Sequence, residues 1–284
     1  MANVPRALAK GRLDMKIASL VVVAAALIVM DVALIVIAAS LALVGAAGTA
    51  DPPGYRENDS TIRTSTDSFD SGGKRVAIEC FQPKTGGPHP AVLVVHGADG
   101  FKVEPIKKVY RGLAQEAARR GYSAYLVHYY DRADSKIGDV LGYAVNFAAW
   151  LETIDDALEL IERQPSVDRE RIGLIGLSLG SFLSLSKAAG DERIGAVVEY
   201  FGDLPLGQPP LERMPPVLIL HGERDRLVSV DKAKKLELAL KAKNLTYEIK
   251  LYPNQGHGFT GDEAQDAFER TFKFLDKHLL PKAE

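Results

Sequence analysis

Arg171-Ile172-Gly173-Leu174-Ile175-Gly176-Leu177-Ser178-Leu179-Gly180 is the stretch on which the reading of this chain turns. Its first half is a short apolar run of strand character, and from Ser178 to Ala189 small and apolar residues continue with helical character. At the junction, residues 176–180 form the pattern G-x-S-x-G. Between a strand and a helix this pattern places a serine on a turn too sharp for side chains on either side. Glycines at 176 and 180 relieve that crowding. Ser178 is therefore a candidate nucleophile. The plainer reading, a strand–helix turn that happens to use small residues, has to be judged by what accompanies the pentapeptide elsewhere.

Outward from this junction the chain alternates. From Pro90 on, strands are predicted at residues 91–95, 123–127, 172–175, 196–200, 217–220 and 246–251. Helices are predicted between and after them at 106–120, 143–163, 182–189, 230–243 and 263–280. Strand–helix alternation with continuously apolar strands argues a mostly parallel sheet covered by helices on both faces. Two earlier strands, 61–66 and 74–82, joined by Ser71-Gly72-Gly73 as a hairpin turn, would add antiparallel edge strands. Residues 49–61, with Pro52-Pro53-Gly54, read as a polar linker, and residues 62–284 as one α/β catalytic domain.

The amino end differs. Residues 1–16 are short and basic, and residues 17–48 are almost wholly apolar, interrupted by Asp31 and two serines. The many Leu, Ile and Val residues, at about −0.3 to −0.6 kcal/mol each, outweigh one aspartate costing at most ~3.5 kcal/mol mid-membrane. The segment is expected to be a transmembrane helix. It is far longer than the roughly 7–15 apolar residues of a secretory signal. Arg6, Lys10, Arg12 and Lys16 precede it while Asp51, Glu57 and Asp59 follow, which puts the amino terminus in the cytoplasm and the bulk outside. The alternative is a signal cleaved near Gly48-Thr49-Ala50, leaving a secreted or periplasmic protein.

Composition excludes several classes. With 46% hydrophobic and 25% charged residues among 284, the chain is ordinary globular material. A formal charge of −2 supplies no basic footprint for nucleic acid. One cysteine, Cys80, excludes an internal disulfide framework and a cysteine-based metal cluster; it reads as a small buried hydrophobe. No cofactor and no metal are expected.

A serine hydroxyl is a poor nucleophile unless a base lies in hydrogen-bond reach and a carboxylate orients that base. Chain order after a G-x-S-x-G serine is acid, then histidine. The acid candidate lies in His221-Gly222-Glu223-Arg224-Asp225, just after a predicted strand. Asp225 is preferred, because the loop needs a few residues to turn back over the sheet edge; Glu223 is the rival. Capping of the following helix fits Ser229 better than Asp225. The base candidate is His257 in Asn254-Gln255-Gly256-His257-Gly258-Phe259, where flanking glycines let the loop approach Ser178. Among the other histidines, His89 and His278 read as surface residues and His128 as a pocket residue. His96 and His221 read as strand-end residues serving backbone geometry. None has zinc-ligand spacing.

Acyl transfer also needs donors for a developing oxyanion, each worth about 3–4 kcal/mol to the transition state. The expected donors are the backbone amides of Leu179, after the nucleophile, and Ala98, in the loop Val95-His96-Gly97-Ala98-Asp99-Gly100-Phe101. That loop fits neither G-x-G-x-x-G nor a phosphate-binding G-x-x-x-x-G-K-[ST]. Substrate contacts are expected from Phe101, Tyr130, Arg132 and Tyr200, with Tyr129 and Phe201 as further candidates.

With these motifs in place the chain resembles the dienelactone hydrolases, a branch of the α/β-hydrolases. The resemblance rests on residues 94–101 (VVHGADGF), 176–181 (GLSLGS), 199–202 (EYFG), 221–228 (HGERDRLV) and 254–259 (NQGHGF). It covers roughly residues 74–280. It implies the α/β-hydrolase fold, with Ser178 as nucleophile, Asp225 as acid and His257 as base. The family pattern has cysteine at the elbow, helped by a carboxylate in the oxyanion loop; here Ser178 and Gly97 stand at those places. It also has two arginines binding a substrate carboxylate. Arg132 matches one, whereas Gly261 stands at the other. The departures favour a serine esterase with another acyl or alcohol preference over dienelactone itself. The expectation is thus a membrane-anchored hydrolase of small-molecule esters acting through an acyl-enzyme. Alternatives are an amide or peptide hydrolase, an acyltransferase on the same triad, or a non-catalytic binding protein on this scaffold.

Overall fold

The computed structural model describes residues 51–133, 140–204 and 211–280. The predicted membrane segment, residues 17–48, lies outside them, as do residues 1–16 and 281–284. Among the described residues no helix is long and apolar enough to cross a membrane.

Among the described residues eight strands form one sheet: β1 (Ile62–Ser71), β2 (Lys74–Pro83), β3 (His89–Val95), β4 (Ser123–Val127), β5 (Val167–Leu177), β6 (Ile194–Tyr200), β7 (Val217–Gly222) and β8 (Tyr247–Tyr252). Among the described residues five α-helices accompany them: α1 (Glu104–Arg119), α2 (Val140–Glu162), α3 (Leu179–Ala188), α4 (Val230–Ala242) and α5 (Gly261–Leu279). Spatial order is β1-β2-β4-β3-β5-β6-β7-β8, with β1 and β2 antiparallel and the other six parallel to one another. The predicted hairpin is present, its pairing running to Ser71 opposite Lys74.

Continuous apolarity explains the central strands. Ala91 to Val95 of β3 are wholly buried because helices cover both faces. The α1 face follows helical spacing: Tyr110, Leu113, Ala114, Ala117 and Ala118 are buried, and Pro105 sits in the first turn, where no amide partner is lost. Ser229 caps α4, its side chain accepting from the Asp231 amide at 3.3 Å, as the sequence suggests.

Chain order places the site. From β3 the chain crosses through α1 to β4 on one side, then returns through α2 to β5 on the other and continues through β6, β7 and β8. Right-handed crossovers in opposite directions put their helices on opposite faces. Accordingly α1 and α5 pack on one face, and α2, α3 and α4 on the other. The reversal falls at β3 and β5, and a crevice at the carboxyl ends of the strands beside such a reversal is the usual ligand position in sheets of this kind. Residues 51–61, read as a linker, lie without helix or strand along α1. The Arg56 amide donates to Gln115 Oε1 at 2.8 Å, and Gln115 Nε2 donates back to Arg56 O at 2.9 Å.

Candidate active site

Ser178 follows β5 at φ +53° and ψ −119°, a left-handed conformation that lifts its hydroxyl off the sheet edge. The turn leaves no room for side chains beside it. A Cβ at Gly176 would come within 2.4 Å of Gly180 O, and one at Gly180 within 2.0 Å of Val95 O. The crowding inferred from the pentapeptide is therefore real, and part of it comes from β3.

His257 Nε2 lies 2.9 Å from Ser178 Oγ, and its Nδ1 lies 2.8 Å from Asp225 Oδ2. A carboxylate accepts, so Nδ1 carries the proton and Nε2 is left to accept from the serine hydroxyl. Asp225 is held in turn. Its Oδ1 accepts the amides of Leu227 at 2.8 Å and Val228 at 2.9 Å. His221 Nε2 donates to Val228 O at 2.8 Å and lies 3.5 Å from Asp225 Oδ2. Burial holds the His221 imidazole below its usual range. The rival acid Glu223 is exposed. The acid and base loops touch directly: the Arg224 amide donates to Gln255 O at 2.9 Å, and a Cβ at Gly222 would overlap Gln255 O and Gly256 O, both at 2.4 Å.

The expected oxyanion donors flank this group in sequence and topology, Ala98 after β3 and Leu179 opening α3. Among the described residues neither amide has a hydrogen-bond acceptor. The expected substrate contacts divide. Phe101, at φ +60°, packs edge-on against His96 at 4.4 Å, and the Tyr130 hydroxyl reaches Ala98 O at 3.4 Å. Both therefore border the Ala98 loop. The Arg132 guanidinium instead donates to Gly72 O, on the β1–β2 turn, at 2.8 Å and reaches Glu152, in α2, at 3.4 Å. The Tyr200 ring is buried, with its hydroxyl on Thr271 Oγ1 at 2.6 Å and Ala267 O at 3.2 Å in α5. Phe201, at φ +44°, sets its ring 4.6 Å from His257.

The remaining histidines stand apart from this group or serve the backbone. His89 bonds Thr85 O, and the His278 ring lies tilted against Phe274 at 4.5 Å; both are half-buried. His128 bonds Glu79 Oε1 at 3.1 Å and packs against Phe101 at 4.5 Å. His96 donates through Nδ1 to Gly97 O at 2.7 Å and stacks on Tyr129 at 3.9 Å; burial pushes it down to about 3.

Sequence reasoning passed over two acids and a serine. Asp99 accepts from the Tyr110 hydroxyl, and burial pushes its carboxyl up to about 6. Glu199, wholly buried in β6, accepts the Gly202 amide at 2.7 Å. Burial, then the charges of Asp203 and Asp225, push it up to about 8. Ser181 Oγ donates to Gly176 O at 2.7 Å and accepts the Tyr200 amide at 3.1 Å, tying the elbow to β6. Their side-chain types give no hint of these partners, which come from other elements. Among the described residues no group of His, Cys, Asp and Glu could hold a metal ion.

A model of the dienelactone hydrolase family matches residues 77–279. The chain belongs to that family. It is thus a dienelactone-hydrolase-like member of the α/β-hydrolases, an enzyme family of hydrolases. It is 27% identical over 220 residues to the carboxymethylenebutenolidase of Rhodococcus opacus, covering 69% of this chain and 83% of that one. It is 26% identical over 246 residues to dipeptidyl aminopeptidase BIII of Pseudoxanthomonas mexicana, covering 71% of this chain but 35% of the peptidase. In structure it resembles a dienelactone hydrolase-like promiscuous phosphotriesterase from metagenomic libraries, with TM-score 0.67 and 19% identity over 77% of this chain and 99% of that one. That last likeness is one of fold.

Proposed function

We propose that this dienelactone hydrolase family member is a serine hydrolase of small carboxylic esters. The observation that carries the reading is the continuous line Ser178 Oγ, His257 Nε2, His257 Nδ1, Asp225 Oδ2, with links of 2.9 and 2.8 Å. In the first half-reaction Ser178 Oγ bonds to the acyl carbon as its proton passes to His257 Nε2. The carbonyl electron pair moves onto oxygen, toward the Ala98 and Leu179 amides. Collapse of the tetrahedral species breaks the bond to the alcohol, which leaves with the proton from His257. Water then repeats the sequence on the acyl-enzyme, and the acid is released with Ser178 restored. Asp225 keeps the imidazole in the tautomer that accepts from Ser178 and stabilises the imidazolium. Phe101 and Tyr130, beside the Ala98 loop, and Phe201, beside His257, are the apolar groups proposed to border the substrate.

Amide or peptide hydrolysis is the second reading, favoured by the identity to the dipeptidyl aminopeptidase. Rates on nitrophenyl esters of increasing chain length, beside matched anilides, test the two. Ester turnover that disappears in Ser178→Ala supports the first reading; turnover confined to anilides supports the second. The apolar stretch at residues 17–48 supports placing the catalytic domain outside the membrane on an uncleaved anchor. Fractionation that finds a soluble protein beginning near Asp51 would replace the anchor with a cleaved signal.

A further inference from the structure

The loop after β3 is fastened at several of its backbone polar groups. Tyr129 Oη donates to His96 O at 2.9 Å, and Gly97 O accepts from His96 Nδ1 at 2.7 Å and from the Gly100 amide at 3.2 Å. The Gly97 amide donates to Tyr110 Oη at 2.9 Å, and that hydroxyl donates to Asp99 Oδ1. Asp99 Oδ2 accepts the Phe101 amide at 3.2 Å, and Asp99 O accepts the Lys102 amide at 3.0 Å. Two amides in the middle, those of Ala98 and Asp99, have no acceptor in another residue among the described residues, and that of Ala98 is the one next to the Gly97 amide that Tyr110 holds.

We propose that Tyr110 and Asp99 are positioning residues that aim the Ala98 amide at the oxyanion, acting through the relay Gly97 N–H to Tyr110 O–H to Asp99 carboxylate. The inference rests on the serine-hydrolase reading above. Tyr110 comes from α1 and is 2% exposed, so its hydroxyl meets no bulk water. A phenol has one proton to give. Giving it to Asp99 leaves the oxygen lone pairs to receive Gly97, which turns the 97 amide away from the crevice. Burial raises Tyr110 well above the usual phenol range and Asp99 only to about 6, so at neutral pH the proton stays on the phenol. A bond to an ionised acceptor is about twice as strong as a neutral one. The relay also fits closely: a Cβ at position 97 would lie 3.0 Å from Tyr110 Oη and 3.3 Å from Asp99 Oδ1. The remaining side-chain fastenings, from Tyr129 and His96 and, at 3.4 Å on Ala98 O, from Tyr130 and Tyr143, hold carbonyls of the loop but neither carboxylate oxygen of Asp99.

Such a relay matters only when charge develops on the substrate oxygen, so its loss belongs in kcat rather than KM. In the full-length protein, with p-nitrophenyl acetate, Tyr110→Phe is expected to lower kcat about 10- to 100-fold with KM within about twofold, as partial loss of one oxyanion donor would. Affinity for a trifluoromethyl ketone, whose hemiketal carries the oxyanion, should fall by a similar factor. Asp99→Asn, nearly isosteric and still an acceptor, should lose less, about 3- to 10-fold. The double variant should be no worse than Tyr110→Phe alone, because the two act as one unit. If the wild type is active and both single variants keep its kcat, or the losses fall in KM, or they multiply, the relay is wrong. If the wild type has no ester activity, or Ser178→Ala retains it, the hydrolase reading fails instead. Should Tyr110→Phe not fold, the kcat and ketone affinity of Asp99→Asn decide.

Discussion

Asp225 holds His257 with one carboxylate oxygen and its own loop with the other: Oδ2 meets His257 Nδ1 at 2.8 Å, and Oδ1 takes the amides of Leu227 and Val228. In Asp225→Asn the side-chain oxygen keeps the two loop amides, so the new amide nitrogen faces His257 Nδ1. Two donors cannot pair, and the imidazole turns to the tautomer that no longer accepts from Ser178. The account predicts a fall in kcat of about 10³- to 10⁴-fold with little change in the thermal midpoint. Glu223→Gln, at the exposed rival position, should leave kcat unchanged. Steady-state kinetics on both variants check the assignment.

Ser181 stabilises the elbow from behind. Its hydroxyl donates to Gly176 O and accepts the Tyr200 amide. Ser181→Ala leaves both groups buried and is expected to cost about 1–3 kcal/mol, read from chemical denaturation midpoints at constant m.

Glu199 makes stability depend on pH. Unfolded, its carboxyl ionises near 4.3. Folded, burial first, then the nearby charges of Asp203 and Asp225, hold the pKa at about 8. Between these values the folded chain keeps a proton that the unfolded chain has lost, so this group's contribution to stability falls as pH rises. The slope is at most about 1.4 kcal/mol per pH unit. Glu199→Gln removes the titration. Urea denaturation at pH 5 and pH 8 should therefore show the variant gaining on the wild type at the higher pH. An identical pH dependence for both would refute the buried proton.

Much of this architecture is legible in the residues. Apolar runs such as residues 91–95 predict buried parallel strands because they are short, rich in valine and bounded by proline and glycine. The order Ser178, Asp225, His257 needs only that each follow a strand, which the periodicity supplies. Side-chain direction is less legible. Tyr200 alternates along β6 onto the α5 face, and Arg132 reaches back to a hairpin 60 residues earlier, so both leave the crevice that their sequence position suggests. Tyr110 is the opposite case. It lies on the buried stripe of α1 like any core tyrosine, yet its hydroxyl ends on the Ala98 loop. Periodicity identifies the buried face but not where a hydroxyl on that face will end.

The central claim is that Ser178 is a nucleophile activated by His257, and covalent labelling tests it most directly. Intact protein treated with a fluorophosphonate should gain one adduct, mapped by peptide mass to Ser178. The adduct should be absent in Ser178→Ala and formed much more slowly in His257→Ala. No adduct on the wild type, or equal labelling of Ser178→Ala, would contradict the account.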